Sequence, residues 1–245
     1  WRAIFAVFQS PNCVLEILEL NCNSFHDEEV TCLGNALGNN STVRWFNLQY
    51  NNATASGWRA FAAAVLQNPY SALETLDLGY NSIDDDSLVS FANSMMHNSK
   101  LKELFLDDEE EEIEITKWDA LSNVLCNESS GIMGVFHSNH TLQRVFNPDI
   151  DSCDESLLPS GISTLLQLNR EHTKIEAARR KILKVHFSGD FNMQPFIDMN
   201  MKVVPHAVAW MAKDEYGSSL SYQFVRYTTF FVGICGIAQS EEEHS

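Results

Sequence analysis

The sequence predicts an α/β solenoid, that is, a stack of short units that each contain one strand and one helix. The first observation is a nine-residue pattern with apolar residues at positions one, four and six and asparagine at position nine, as in Leu73–Asn81 (LETLDLGYN). The second is that this pattern begins at residues 15, 43, 73 and 101, at intervals of 28, 30 and 28 residues. A recurrence at this period is typical of solenoids, because one unit cannot bury its apolar face alone.

A helical pattern follows each predicted strand. Apolar residues recur at offsets of zero, three, six and seven, which places them on one face of a helix. The faces in the first three units are Val30, Leu33, Ala36 and Leu37; Trp58, Phe61, Ala64 and Val65; and Leu88, Phe91, Ser94 and Met95. In the fourth unit the face is Trp118, Leu121, Val124 and Leu125, and it begins two residues later. Each unit is therefore predicted to run strand, turn, helix.

These features together resemble the ribonuclease-inhibitor-like class of leucine-rich-repeat proteins over residues 1 to about 147. The resemblance implies a segment of a right-handed α/β horseshoe. The asparagine at position nine is Asn23, Asn51 and Asn81 in the first three units, and Glu109 replaces it in the fourth. Because an asparagine side chain can bond backbone groups that a turn leaves unpaired, we expect these asparagines to form a structural ladder.

Two regions are expected along the chain. Residues 1–150 form the solenoid, with a partial first repeat, four repeats and a degenerate fifth strand at Leu142, Val145 and Phe146. Trp1–Val14 echoes Trp58–Ala72, so the chain is expected to begin inside the helix of a repeat. Residues 151–245 resemble the C-terminal part of uncharacterised algal leucine-rich-repeat proteins, which implies a helical cap. Its predicted helices are centred on Ile162–Leu168, Ile175–Phe187, Pro195–Met201, Pro205–Lys213 and Ser219–Phe231.

The charge is strongly acidic and unevenly distributed. The net charge is −17; residues 1–150 hold 7 Lys/Arg and 21 Asp/Glu, a net of −14, and residues 151–245 hold 9 and 12, a net of −3. This balance disfavours nucleic acid as a partner and favours a basic protein. The alternative is that the acidic surface only keeps the protein soluble.

The outward-pointing strand positions are the predicted binding surface. In a horseshoe they line the concave face, and aromatic residues beside carboxylates suit a basic protein partner. The predicted contact residues are Glu19, Trp45, Asn47, Asp77, Glu103, Phe105 and Phe146, with Trp45 as the main anchor. The alternative is that Trp45 and Phe105 only cover neighbouring strands.

Two insertions interrupt the fourth unit. The acidic run Asp107–Glu114 (DDEEEEIE) is interpreted as a solvated loop, with a docking patch for basic residues or a calcium site as alternatives. Residues 127–140 (NESSGIMGVFHSNH) are interpreted as a surface loop. His137 and His140 have no Cys or carboxylate partner at a metal-ligand spacing, so neither a metal nor a cofactor is predicted.

The sequence contains none of the catalytic motifs GxSxG, GxxxxGK[ST], GxGxxG or HExxH, so no enzyme is predicted. A protein-interaction scaffold is the favoured function, as a monomer or as part of a larger assembly. A GTPase regulator is the first alternative, since the activators of the Ran GTPase are also ribonuclease-inhibitor-like. A secreted or surface recognition receptor is the second.

Cysteines and sequons bear on the compartment. The six cysteines Cys13, Cys22, Cys32, Cys126, Cys153 and Cys235 form no CxxC pair and are interpreted as free thiols of an intracellular protein, cytoplasmic or nuclear. NxS/T sequons at Asn39, Asn40, Asn52, Asn127 and Asn139 keep a secreted protein open. The longest apolar run, Tyr227–Ala238, is too short to span a membrane, and no membrane anchor is predicted.

Overall fold

The structure is a computed structural model that describes residues 1–81, 83–106, 115–145 and 158–187. Trp1–Arg179 form one compact unit, and a second unit begins at Arg180. The elements are α1 (Arg2–Phe8), β1 (Ile17–Glu19), α2 (Asp27–Leu37), β2 (Trp45–Asn47), α3 (Ala55–Leu66), β3 (Thr75–Asp77), α4 (Asp85–Met95), β4 (Glu103–Phe105), α5 (Ile115–Leu125), a 3₁₀ turn (Glu128–Ser130), α6 (Gly131–Phe136), α7 (Ser160–Glu171) and α8 (Lys174–Phe187).

The four strands form one parallel sheet in the order β1-β2-β3-β4. Its central row pairs Leu18 with Phe46, Phe46 with Leu76 and Leu76 with Leu104. This is the register predicted from the repeats, and it is confirmed. Leu18 is 8% exposed and the other three are fully buried, because alternate strand residues point to opposite faces and this row points toward the helices.

The helices pack against one another in sequence, from α1 against α2 to α4 against α5. Their predicted apolar faces are buried; Trp58 and Phe61 on α3, for example, are fully buried, and Phe46 lies over Phe61 with ring centroids 6.1 Å apart. Thr54 and Asp84 cap α3 and α4 by accepting hydrogen bonds from backbone N–H groups in the first turn. The core therefore lies between the sheet and its layer of helices.

The predicted horseshoe of the ribonuclease-inhibitor-like class is wrong. The sheet that the structure describes is small: four strands of three residues each, flanked by helices. The expected fifth strand is reduced to a single bridge between Glu103 and Arg144 in its described part. A repeated strand pattern specifies which residues of each unit face the core and how neighbours align. The extent and curvature of a whole stack depend on helix packing, about which the nine-residue pattern carries no information.

The surface loop predicted over residues 127–140 is also corrected. It contains the 3₁₀ turn and α6, and Val135 on α6 is fully buried. Gly131 has a φ of 63° at the junction, a conformation that glycine adopts without steric cost. Gly134 lies so close to the Asn127 carbonyl that an added Cβ would be 2.5 Å from it. The apolar run IMGVF supplies the buried face, but it is too short to show a helical period.

Two helices of the expected C-terminal region, α7 and α8, are present at the predicted positions. α7 packs against α5 within the first unit. The other three predicted helices and the acidic run Asp107–Glu114 lie outside the described residues. The division of the chain at residue 150 stays a prediction.

Candidate protein-binding surface

The predicted contact residues lie on the side of the sheet that faces away from the helices. We call this side the strand face and define it by Ile17, Glu19, Trp45, Asn47, Thr75, Asp77, Glu103 and Phe105. Strand pairing aligns these residues in two rows, one from Ile17 to Glu103 and one from Glu19 to Phe105. Phe146 lies outside the described residues, so its predicted contact stays a prediction.

Solvent exposure falls steeply across the strand face. Ile17 on β1 is 63% exposed and Glu19 beside it is exposed. Trp45 and Asn47 on β2 are half-buried. Asp77 on β3 is only 3% exposed, and Phe105 on β4 is 6% exposed. The part of the strand face that a partner can reach is therefore its β1–β2 half.

Internal hydrogen bonds already occupy the polar groups of the buried half. The Asp77 carboxylate accepts one bond from the Gln49 side-chain amide at 2.8 Å and one from the Gly79 backbone N–H at 3.1 Å. Glu103 accepts a bond from the Thr75 hydroxyl at 3.0 Å and forms an ion pair with Arg144. These two carboxylates therefore stabilise the turn and the strand pairing in the free protein.

The open half is less committed. The Asn47 side-chain oxygen accepts a bond from the Gln49 backbone N–H at 2.9 Å. The Glu19 carboxylate has no hydrogen-bond or ion-pair partner among the residues that the structure describes. Glu19 and the half-buried indole of Trp45 thus lie side by side on neighbouring strands, a carboxylate next to an aromatic surface.

The asparagines at position nine connect the ends of the strands. The Asn51 side-chain NH₂ donates to the backbone carbonyls of Leu20 (3.1 Å) and Leu48 (2.8 Å), and its oxygen accepts from the Phe25 N–H at 2.9 Å. The Asn81 NH₂ donates to the Leu48 carbonyl at 2.9 Å, and its oxygen accepts from the Asn51 N–H at 2.7 Å. Each side chain therefore pairs backbone groups of its own turn and of the preceding one.

Asn23 differs from the other two. It is half-buried, and its side-chain NH₂ donates only to the carbonyl of Asn21, at 3.0 Å. The oxygen of Asn51 accepts from Phe25 rather than from residue 23. The position in the repeat is the same, but β1 is the edge strand, so there is no preceding turn among the described residues for Asn23 to join.

Sequence reasoning missed an aromatic pair at the end of the strand face. The rings of Tyr50 and Tyr80 stack with centroids 4.4 Å apart and planes 5° apart, and Tyr50 is 49% exposed. Both residues have a left-handed backbone, with φ of 52° and 57°, and Cys22 at the equivalent position has 58°. The signal was available, since a tyrosine precedes the asparagine in two successive repeats.

A charged row at the opposite ends of the strands was missed as well. Glu74 accepts from the Lys102 ammonium at 2.6 Å and from the Arg44 guanidinium at 2.7 Å. The bond to Lys102 and the bond to Arg44 lower the pKa of Glu74 against the effect of burial. The second position of successive repeats reads Glu16, Arg44, Glu74 and Lys102, and this alternation in sign is the signal that could have shown the row.

Chemistry of other kinds finds little support in the part of the chain that is described. No group of three His, Cys, Asp or Glu side chains there could hold a metal ion. None of the described helices combines the length and the apolar character that crossing a membrane requires. An open pocket of about 280 Å³ lies beside α6, lined by Met96, His97, Asn123, Met133, His137 and Ser138 among others.

No protein-family model matches the chain, and no curated protein matches it. Two solved structures share its fold. One is leiomodin-1 actin-binding site 2, at 16% identity and a TM-score of 0.50, with 75% of this chain and 92% of that chain covered. The other is the tropomodulin C-terminal domain of Caenorhabditis elegans, at 16% identity and a TM-score of 0.52, with 69% of this chain and 92% of that chain covered.

These structures correct the family assignment. The sequence predicted a ribonuclease-inhibitor-like leucine-rich-repeat solenoid, similar to the algal proteins, and that assignment is wrong. The alternative of a GTPase regulator rested on the same class, so it is withdrawn with it. The solved structures that this chain resembles are a leiomodin domain and a tropomodulin C-terminal domain, and the likeness concerns the fold.

Proposed function

We propose that this chain is a non-catalytic protein-binding domain, and that its partner contacts the open β1–β2 half of the strand face. The observation that supports this most directly is the exposure of Ile17 and Glu19 next to the half-buried Trp45. An aromatic ring beside an uncommitted carboxylate is the kind of pair that dominates binding energy in protein interfaces. Asp77 and Phe105 are no longer proposed as direct contacts, because they are buried in the free protein.

The partner is proposed to present basic and apolar groups to this surface. Glu19 supplies the carboxylate there, and Glu16 next to β1 is also exposed. The net charge of −17 would attract a basic partner over a distance comparable to the Debye length, about 8 Å at physiological ionic strength. Ile17 and Trp45 supply the apolar area that such a partner would cover.

Actin is the first protein to test. One of the two structures that share this fold is described as an actin-binding site of leiomodin-1. The proposal for this chain is that an actin surface with basic and apolar residues binds the open half of the strand face. A cytoplasmic location is part of the same proposal; the nuclear alternative has no support in the comparisons.

The test is a titration of fluorescently labelled monomeric actin with the full chain, read by anisotropy at two salt concentrations. Trp45→Ala removes the anchor, and we expect affinity to fall about 30-fold or more, the effect of losing about 2 kcal/mol at a hot spot. Glu19→Lys reverses one charge and should weaken binding most at low salt. Tyr70→Ala is the matched control, since Tyr70 is a 77% exposed aromatic in the connection between α3 and β3.

Two results would contradict the proposal at different levels. Actin that binds equally well to the wild type, Trp45→Ala and Glu19→Lys would show that the strand face is not the site. If actin does not bind, affinity capture from extract is repeated with the three proteins. In that case, failure to find any protein that the wild type retains and the two variants lose would refute the strand-face site itself.

A further inference from the structure

The outer edge of β1 is a second surface, separate from the strand face, and its equivalents inside the sheet are all occupied. The Thr75 N–H on β3 donates to the Arg44 carbonyl of β2 at 2.9 Å, and the Asp77 carbonyl accepts from the Leu48 N–H at 2.8 Å. The same two groups on β1 are the Ile17 N–H and the Glu19 carbonyl. They lie on the edge with which no strand pairs among the described residues.

Apolar side chains are uncovered at the same edge. Leu15 is 41% exposed, whereas Leu73 at the equivalent position of the third unit is 3% exposed. Ile17 is 63% exposed, whereas Thr75 at its equivalent position is 8% exposed. The difference arises because β2 covers β3, while β1 has no such neighbour. Burying these side chains would stabilise whatever segment covers them.

The charged row states what that segment should carry. Glu74 lies between two cations, Arg44 on β2 and Lys102 on β4. Glu16 occupies the equivalent place on β1, is exposed, and has no cation on its outer side among the described residues. A strand that paired with β1 as β2 pairs with β3 would place a basic residue beside Glu16, just as β2 places Arg44 beside Glu74.

We infer that the outer edge of β1 binds an extended, basic segment of a partner protein, which adds a parallel strand and pairs a Lys or Arg with Glu16. The β2–β3 junction is the template for the complex: backbone bonds to Ile17 and Glu19, apolar cover for Leu15 and Ile17, and one ion pair. Adding a strand to an exposed sheet edge is an established mode of peptide recognition. A second copy of this chain is a poor occupant, because antiparallel self-pairing would bring two edges rich in Glu16 and Glu19 together.

The probe follows from the template. A fluorescein-labelled peptide with the sequence of residues 42–50 (TVRWFNLQY) carries the edge that β2 presents to β3. We titrate it with the full chain and follow anisotropy up to about 1 mM protein, the range of weak peptide binding. We expect saturable binding, and loss of binding when the peptide amide corresponding to Leu48 is methylated, because that N–H would donate to Glu19.

A charge exchange makes the test specific to Glu16. Glu16→Arg in the protein should weaken peptide binding about fivefold, and Arg44→Glu in the peptide should do the same, the range of one exposed ion pair. The Glu16→Arg protein with the Arg44→Glu peptide should recover the loss. Glu16→Gln is the milder variant should Glu16→Arg perturb folding, which circular dichroism reports.

This inference and the proposed function fail separately. Trp45→Ala in the protein should leave peptide binding unchanged, because Trp45 lies on the strand face and not at the outer edge. Absence of saturable binding, equal binding of a scrambled peptide, or no recovery in the charge exchange would overturn the inference. A protein dimer that Glu16→Arg abolishes, seen by analytical ultracentrifugation, would identify a second copy as the occupant and would also overturn it.

Discussion

Replacing Asn51 by alanine tests whether the turns of this fold depend on side-chain hydrogen bonds. Asn51 is 4% exposed, and it links the backbone of two successive turns. Its oxygen accepts from the Phe25 N–H at 2.9 Å, and its NH₂ donates to the carbonyls of Leu20 and Leu48 at 3.1 and 2.8 Å. Alanine removes all three bonds and leaves the Phe25 N–H buried without an acceptor.

The expected loss follows from these contacts. Three hydrogen bonds contribute about 1 kcal/mol each, and an unpaired buried donor costs about 1 to 3 kcal/mol. Some of the freed carbonyls will bind water, so we expect a total loss of about 3 to 5 kcal/mol in the free energy of unfolding. With a urea m-value of about 2 to 3 kcal/mol/M for a domain of this size, the midpoint should shift by about 1 to 2 M.

Two controls isolate the reasoning. Asn52→Ala changes the exposed neighbour of Asn51 and should cost less than about 0.5 kcal/mol. Asn23→Ala removes the asparagine at the same repeat position, but that side chain makes one local bond to Asn21 and should cost below about 1 kcal/mol. The measurement is urea unfolding followed by circular dichroism. Equal losses for Asn23→Ala and Asn51→Ala, or a loss below about 1 kcal/mol for Asn51→Ala, would refute the reasoning.

Three further predictions concern charge, backbone and modification. Glu74→Gln should lower stability by about 1 kcal/mol at pH 7; because the pKa of Glu74 is lowered in the folded state, that difference is present above its unfolded pKa of 4.5 and should disappear in urea titrations as the pH falls through the lower folded value. Gly57→Ala should destabilise by about 1 to 3 kcal/mol, because its Cβ would lie 2.9 Å from α2 backbone, whereas Gly161→Ala has open space on α7 and should stabilise by about 0.5 to 1 kcal/mol; thermal unfolding that ranks the two the other way would contradict this. In material passed through a secretory pathway, peptide mass spectrometry should find the exposed Asn52 sequon available and the Asn139 sequon empty, since Asn139 is 2% exposed and its NH₂ donates to two backbone carbonyls.

The strand register and the helix faces could be predicted from the sequence because they are local. Leu18, Phe46, Leu76 and Leu104 recur at fixed offsets, and only one register places all four on the same face of the sheet. The family could not be read in the same way. Units of this kind occur in more than one arrangement, and the repeat pattern describes the unit rather than the arrangement.

The binding surface was predictable only in part, for a physical reason. Strand offsets correctly place Asp77 and Phe105 on the strand face, but offsets do not determine exposure. Asp77 is buried because the Gln49 side chain and the Gly79 N–H enclose its carboxylate. Glu19 has the same offset as Asp77 and stays exposed because β1 is an edge strand. Position in the sheet, which depends on how many units pair, decides which of two equivalent carboxylates a partner can reach.

The same difference separates structural from binding residues throughout the sheet. Strands of three residues offer few backbone hydrogen bonds, so the turns that follow them must be stabilised by side chains, and Asn51 and Asn81 do so at one end of the strands. At the other end Glu74 connects three neighbouring strands through its two cations. Polar groups in the middle of the sheet are thereby committed to folding. Those at the β1 edge are not, because each lacks the neighbour that its equivalents have. Binding capacity in this fold is therefore expected at β1, where the residues of a repeated structural pattern remain without their structural partners.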